Sequence, residues 1–138
     1  MFRRRALLSI VDSPSTVSLA MVSVLVVEDD TLVRHVVTTM LEVAGHQVVG
    51  AGSPREARAA VAGAEEPFDL IVADVRLPEL PGPELVAELR QLQPHARYLY
   101  ISGYRYEDLP HGAVLDAPFL AKPFTGSDLN AKIDELFG

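Results

Sequence analysis

Short apolar runs alternate with stretches of helical periodicity from residue 22 to the end of the chain. The apolar runs predict five strands, at Val22–Val27, His46–Gly50, Asp69–Ala73, Arg97–Ile101 and Pro118–Ala121. Apolar residues at helical spacing predict five helices, at Thr31–Ala44, Ser53–Gly63, Pro83–Leu92, Tyr106–Val114 and Thr125–Phe137. Strands that alternate with helices in this way form a parallel sheet with helices on both faces. The pattern therefore predicts a doubly wound α/β domain.

Capping residues mark where several of these helices begin. Ser53 is followed by a proline and, at the third position, by a glutamate, which is a typical helix start. The segment Thr125–Asp128 has the form of a capping box. Asp30 or Thr31 is expected to cap the first helix.

The first 20 residues differ from the rest of the chain. Three arginines, Arg3–Arg5, precede an apolar stretch that Asp12 interrupts after six residues. A secretory signal needs an apolar region of roughly 7 to 15 residues, so this stretch is too short. We predict a flexible tail over residues 1–20 and one domain over residues 21–138; an upstream start of translation, or a targeting or docking role for the tail, is the alternative.

Composition and charge narrow the classes of function. The 138 residues suffice for one domain, and 49% apolar with 22% charged residues excludes a disordered chain. The absence of cysteine excludes disulfides, thiolate metal sites and cysteine catalysis. No apolar run approaches the roughly 18 to 20 residues that span a bilayer, which favours a soluble, cytoplasmic protein without a membrane partner. A net charge of −7, concentrated in residues 21–138, argues against nucleic-acid binding.

Reactive side chains follow four of the predicted strands. The first strand is followed by Glu28–Asp30, the third by Asp74, the fourth by Ser102–Gly103 and the fifth by Lys122. Because the carboxyl ends of parallel strands meet at one edge, these groups are expected to lie close together. Crowded carboxylates repel each other unless a cation lies between them, and oxygen ligands favour Mg²⁺. Such a site suits a phosphoryl group, and a carboxylate can itself attack phosphorus; the alternative is that each acid is only a cap or a solvated turn residue.

Four segments in this order resemble the receiver domain of bacterial two-component response regulators. They are Val24–Asp30, Asp74–Pro78 with Gly82, Ile101–Tyr104 and Phe119–Phe124. The resemblance covers about residues 22–138, with 45 residues from Asp29 to Asp74 and 48 from Asp74 to Lys122. It implies a flavodoxin-like, five-stranded parallel sheet of order 2-1-3-4-5 with five helices. It also implies a phosphoprotein of phosphorelay signal transduction.

The resemblance implies a set of metal ligands. Asp74 is the expected phosphoacceptor and also a ligand of Mg²⁺. Asp29 is expected to bind the metal directly and Glu28 mostly through water. The backbone carbonyl of Arg76 is expected to supply a further ligand.

The resemblance also implies groups that bind the phosphoryl oxygens and a switch. Lys122 is expected to contact one phosphoryl oxygen, and Ser102 another, assisted by the backbone N–H of Gly103. Inward movement of Ser102 would leave room for Phe119 to rotate inward. This change would alter the face formed by the fourth helix, the fifth strand and the last helix; an ordinary core role for Phe119 is the alternative.

Three functions remain open from the sequence. The first is a stand-alone receiver, phosphorylated by a sensor histidine kinase or a histidine phosphotransfer protein, which controls a downstream protein as a monomer or weak homodimer. The second is a Mg²⁺-dependent phosphohydrolase with an aspartate nucleophile, although such enzymes typically carry a second acid where this chain has Arg76. The third is a binding module that keeps the fold without being phosphorylated. The segments around Ser102 and Lys122 look like those of receivers attached to hybrid sensor kinases.

Overall fold

The structure is a computed structural model that describes residues 21–103 and 116–138. Its strands are β1 (Ser23–Val27), β2 (Gln47–Ala51), β3 (Leu70–Asp74), β4 (Arg97–Ser102) and β5 (Phe119–Ala121). Its helices are α1 (Thr31–Val43), α2 (Pro54–Gly63), α3 (Gly82–Leu92) and α4 (Gly126–Phe137). The predicted tail over residues 1–20, the predicted helix over 106–114 and Tyr104 lie outside the described residues.

All strand pairs in the sheet are parallel, and the strand order is β2-β1-β3-β4-β5. This order confirms the predicted fold. The boundaries of the described elements differ from the predicted ones by at most one residue. β1 and β3 lie side by side at the centre, with Val27 opposite Ala73. The residues that follow these two strands therefore emerge next to each other at one edge of the sheet.

The sheet separates two apolar cores. One core contains Leu25 and Ile71 with residues of α2 and α3, and the other contains Val24 with residues of α1 and α4. Neighbouring residues of β1 point to opposite faces, so that Val24 and Leu25 belong to different cores. Because both faces of the central strands are covered, their sequences read as continuous apolar runs.

The helix starts follow the capping residues in the sequence. Asp30 caps α1 by accepting the backbone N–H of Val33 at 3.0 Å. Ser53 caps α2, and Thr125 forms a reciprocal capping box with Asp128 at the start of α4. These caps fix the directions in which α1 and α4 leave the carboxyl edge of the sheet. Every helix in the described part of the chain falls short of the length and apolar character needed to cross a bilayer.

Candidate functional site at the carboxyl edge of the sheet

A cleft of about 560 Å³ opens where β1, β3, β4 and β5 end. It is lined by Glu28, Asp29, Asp30, Asp74, Arg76, Leu77, Pro78, Ser102, Gly103 and Lys122. The structure thus brings together all seven residues predicted to bind metal or phosphoryl oxygens. The eighth predicted residue, Phe119, does not line this cleft.

Three carboxylates meet in the cleft. Glu28, Asp29 and Asp74 each offer one oxygen, and these oxygens lie within 4.8 Å of one another. Glu28 and Asp74 are buried, whereas Asp29 is exposed. Glu28 and Asp74 meet because they stand at the ends of adjacent parallel strands in matching register. Asp29 lies one residue further along, on the solvent side of the same turn.

Lys122 lies between two of these carboxylates. Its Nζ donates to Glu28 Oε1 at 2.5 Å and to Asp74 Oδ2 at 2.7 Å. Its backbone N–H donates to the carbonyl of Ser102 at 2.7 Å, which ties the residue to the end of β4. The peptide bond between Lys122 and Pro123 is cis. The ammonium group therefore supplies the cation that keeps two buried carboxylates from repelling each other.

Burial and charge act in opposite directions on this cluster. Burial, together with the neighbouring Asp74, raises the pKa of Glu28 to about 7, although Lys122 and the Asp30 N–H favour its charged form. Burial also works to lower the pKa of Lys122. The hydrogen bonds to Asp74 and Glu28 outweigh that effect, and the pKa of Lys122 is raised. The lysine is therefore charged at neutral pH, and Glu28 binds a proton more readily than an exposed glutamate does.

The backbone around Asp74 is fixed by the start of α3. Asp74 Oδ1 accepts the N–H of Arg76 at 2.8 Å, and the N–H of Gly82 donates to the carbonyl of Val75 at 2.8 Å. A Cβ atom at Gly82 would lie 2.1 Å from the carbonyl oxygen of Asp74. Only glycine permits this approach, which explains the glycine in the motif that follows Asp74.

The two predicted switch residues lie on neighbouring strands. Ser102 ends β4 and is buried, and Phe119 begins β5 opposite Tyr100. Phe119 is half-buried and packs against the core that contains Tyr100. The two residues thus lie on adjacent strands, and their movement on phosphorylation stays a prediction.

Besides the bonds from Lys122 to the carboxylates, two contacts in the site are not predicted by the sequence. The backbone N–H of Asp30 donates to Glu28 Oε2 at 3.1 Å, so Asp30 serves the site as well as the helix cap. Arg34 Nη1 donates to the backbone carbonyl of Glu28 at 2.8 Å. In the sequence, Arg34 is only an arginine one helical turn after the capping residue. Arginines are so common on helices that this position does not mark a functional residue.

The donor set of the cleft fits a hard divalent cation. The group of Glu28, Asp29 and Asp74 offers only carboxylate oxygens, and oxygen ligands suit Mg²⁺ better than Zn²⁺ or copper. Asp29 faces solvent, so a hydrated ion can reach the cluster. The geometry therefore supports the predicted magnesium site.

The sequence profile of the response regulator receiver domain matches residues 24–134. The chain belongs to the response regulator receiver domain family. A receiver domain is a phosphoacceptor and not a turnover enzyme. The acidic cluster in the cleft is typical of the phosphoacceptor site of this family.

Two proteins of Brucella abortus (strain 2308) resemble the receiver domain in sequence. The sensor kinase CckA is 34% identical over 116 residues, which are 83% of this chain and 12% of the kinase. The response regulator receiver protein CpdR is 31% identical over 115 residues, which are 82% of this chain and 94% of CpdR. The chain thus matches a small part of the first relative and nearly all of the second.

A solved structure resembles the receiver domain in three dimensions. The response regulator protein TrrA of Thermotoga maritima, in complex with Mg(2+)-BeF, is similar with a TM-score of 0.69 at 25% identity. The similarity covers 84% of this chain and 99% of that one.

Proposed function

We propose that this receiver domain accepts a phosphoryl group on Asp74 from a histidine kinase or a histidine phosphotransfer protein. The reaction depends on Mg²⁺, and the modified domain controls a downstream protein through the face that includes β5 and α4. One observation carries the proposal. Oxygens of Glu28, Asp29 and Asp74 lie within 4.8 Å of one another, and the Lys122 ammonium group contacts the carboxylates of Glu28 and Asp74.

Asp74 performs the covalent step. One carboxylate oxygen attacks phosphorus, so that a P–O bond to Asp74 forms while the P–N bond to the donor histidine breaks. The electron pair of the broken bond stays on the imidazole. With acetyl phosphate as donor, a P–O bond breaks instead and acetate leaves. Asp74 is suited to this role because it is anchored at both oxygens yet lines the open cleft.

The neighbouring groups handle the charge that the phosphoryl group brings. Glu28, Asp29, Asp74 and the carbonyl of Arg76 would hold Mg²⁺, which neutralises charge on the phosphoryl oxygens when bound. Lys122 donates to one phosphoryl oxygen, a role favoured by its raised pKa and by its contact with Asp74 Oδ2. The hydroxyl of Ser102 and the N–H of Gly103, which line the same cleft, serve the remaining oxygens.

The complex of TrrA with Mg(2+)-BeF supports magnesium as the ion for this site. A phosphohydrolase is disfavoured because Arg76 stands where such enzymes typically carry a second acid. A cytoplasmic location and a kinase partner follow from the proposed phosphotransfer. The stand-alone arrangement, the flexible tail and the inward rotation of Phe119 stay predictions.

The first experiment tests the acceptor. Incubation with Mg²⁺ and acetyl phosphate is expected to add one acid-labile phosphoryl group, measured by intact-mass spectrometry. Asp74→Asn should abolish the adduct because an amide is not a nucleophile toward phosphorus. Asp69→Asn is the matched control, since the Asp69 carboxylate accepts the N–H of Ser23 at the opposite end of the sheet. Absence of an adduct on the parent protein, with a donor that labels another receiver, would replace this proposal by the unphosphorylated binding module.

A further inference from the structure

Arg34 connects α1 to the turn that carries the acidic residues. Its Nη1 donates to the backbone carbonyl of Glu28 at 2.8 Å, and its own N–H continues the helix by bonding the carbonyl of Asp30 at 2.8 Å. The side chain therefore spans the turn from the first part of α1 back to the end of β1. A charged donor on a carbonyl makes a stronger hydrogen bond than a neutral one.

Two glycines leave room for this side chain. A Cβ at Gly50 would lie 3.4 Å from Arg34 Cδ, and a Cβ at Gly52 would lie 2.8 Å from Arg34 Nη1. The N–H of Gly52 donates to Glu56 Oε1 at 2.7 Å, which holds this backbone against the first turn of α2. The end of β2 thus forms a surface without side chains, over which the arginine lies.

The contact from Arg34 completes the fixation of Glu28. The N–H of Glu28 donates to the carbonyl of Ala51 at 3.0 Å, its Oε2 accepts the N–H of Asp30, and its Oε1 accepts Lys122. The carbonyl held by Arg34 lies in the same planar peptide unit as the N–H of Asp29. Its position therefore sets the direction in which the exposed Asp29 leaves the turn.

We propose that Arg34 is a positioning residue of the metal site. Its guanidinium group fixes the peptide between Glu28 and Asp29, so that both carboxylates are held in place before a divalent cation binds. The importance of this role for phosphorylation rests on the proposed function. The effect of Arg34 on the affinity for Mg²⁺ can be measured independently of it. Residues behind a metal ligand commonly hold it in the orientation that binding needs.

Charge alone predicts the opposite effect. Arg34 is a cation close to a cation site, so an electrostatic influence without positioning would weaken Mg²⁺ binding, and its removal would strengthen it. A positioning role predicts weaker binding on removal. The sign of the change therefore separates the two roles.

The test is a titration with Mg²⁺ alone, in which the amide chemical shifts of the cleft residues report metal binding. Arg34→Ala should raise the dissociation constant for Mg²⁺ about tenfold. Arg34→Lys keeps a donor and the charge, and it should recover part of the affinity. Arg58→Ala is the matched control, because Arg58 pairs with Glu88 on the exposed surface of α2 and α3 and should bind Mg²⁺ like the parent. An unchanged or lower dissociation constant for Arg34→Ala would overturn the inference.

Gly52→Ala provides a second route to the same displacement. The added methyl group would press on the end of the arginine side chain and should weaken Mg²⁺ binding in the same direction. Because both substitutions disrupt one contact, the double variant should bind no more weakly than Arg34→Ala. Fully additive losses would overturn the inference, and Gly52→Ala carries the test alone should Arg34→Ala fail to fold.

Phosphorylation separates this inference from the proposed function. In Arg34→Ala the Mg²⁺ concentration for half-maximal labelling by acetyl phosphate should rise in parallel with the dissociation constant. The rate at saturating Mg²⁺ should stay within about twofold of the parent. Weaker metal binding in a chain that is never phosphorylated would support Arg34 and refute the proposed function. Phosphorylation of the parent, together with unchanged metal affinity in Arg34→Ala, would support the proposed function and refute the positioning role of Arg34.

Discussion

The two ends of the sheet bury polar groups in different ways. At the end opposite the cleft, His46 Nδ1 accepts the N–H of Val22 at 3.2 Å, and Gln93 Oε1 accepts the N–H of Phe68 at 2.8 Å. These are neutral side chains, each of which satisfies a backbone group that the strands leave unpaired. At the cleft end, the buried Glu28 and Asp74 are acids, and they share one ammonium group.

The difference separates a structural arrangement from a functional one. A buried backbone N–H needs a partner, and a neutral acceptor provides it without bringing a charge into the core. Buried ion pairs often contribute no more stability than apolar side chains of the same size. The concentration of acids at the cleft end is therefore not explained by stability. The proposed binding of a cation and a phosphoryl group accounts for it. Substitutions at the two ends should accordingly respond differently to Mg²⁺.

The largest effect is expected at Lys122. In metal-free protein, Lys122→Met leaves two buried carboxylates without their cation and should lower the free energy of unfolding by roughly 3 kcal/mol. Added Mg²⁺ should stabilise this variant more than the parent, because the ion supplies the missing positive charge. Denaturant unfolding with EDTA and with Mg²⁺ measures both quantities.

Lys132→Met is the control for that measurement. Lys132 lies on α4 and pairs with the exposed Glu135 at 3.7 Å, away from the cleft. Its substitution should change stability by less than about 0.5 kcal/mol, with or without Mg²⁺. If both variants lost the same amount of unfolding free energy, Lys122 would contribute no more to stability than an exposed lysine does.

Gly82 should give the next largest effect. In Gly82→Ala the methyl group would collide with the carbonyl of Asp74, and relief requires a backbone shift at the acceptor residue. We expect a loss of about 2 kcal/mol in the free energy of unfolding, together with slower phosphorylation. Gly63→Ala is the matched control, because a Cβ there meets nothing within 4 Å. If Gly82→Ala were as stable and as reactive as Gly63→Ala, the close packing of α3 on Asp74 would have no functional meaning.

The parts of the molecule that were predictable depend on patterns that lie along the chain. The apolar run before Glu28 and the one before Asp74 predict adjacent buried strands, and parallel pairing then brings their ends together. That rule predicts that the residues at the strand ends lie at one edge, where seven predicted residues line the cleft. The strand order itself was implied by the resemblance to receiver domains, and the structure confirms it.

The contacts that were not predictable are made by side chains that reach from one helix or strand to another. Their course depends on the three-dimensional packing of these elements. The bond from Lys122 to Glu28 depends on how far β5 reaches along β4, and the bond from Arg34 depends on the side-chain-free surface at Gly50 and Gly52. Likewise, His46 was predicted to begin a strand. It instead lies one residue before β2 and is buried. The preceding Gly45 has a φ of 102°.

His46 gives the smallest expected effect and the sharpest contrast with the cleft. Because Nδ1 accepts the N–H of Val22, the neutral ring carries its proton on Nε2, and a second proton would remove the acceptor. Burial lowers the pKa of His46, although Asp134 on α4 acts in the opposite direction. Because the pKa is lower in the folded state, the stability contributed by His46 is complete above the pKa of the unfolded state, about 6.5. This stability is lost as the pH falls through the lower pKa of the folded state.

His46→Asn should remove this pH dependence, because its side-chain oxygen can accept the N–H of Val22 without titrating. Between about pH 7.5 and pH 5.5, the parent should lose about 1 kcal/mol more of unfolding free energy than this variant. The exposed His95→Asn serves as control and should follow the parent. The difference should be the same with EDTA and with Mg²⁺, since His46 lies at the end of the sheet opposite the metal site. A difference that changed with Mg²⁺ would mean that the two ends are coupled, and the contrast between a structural end and a functional end would then fail.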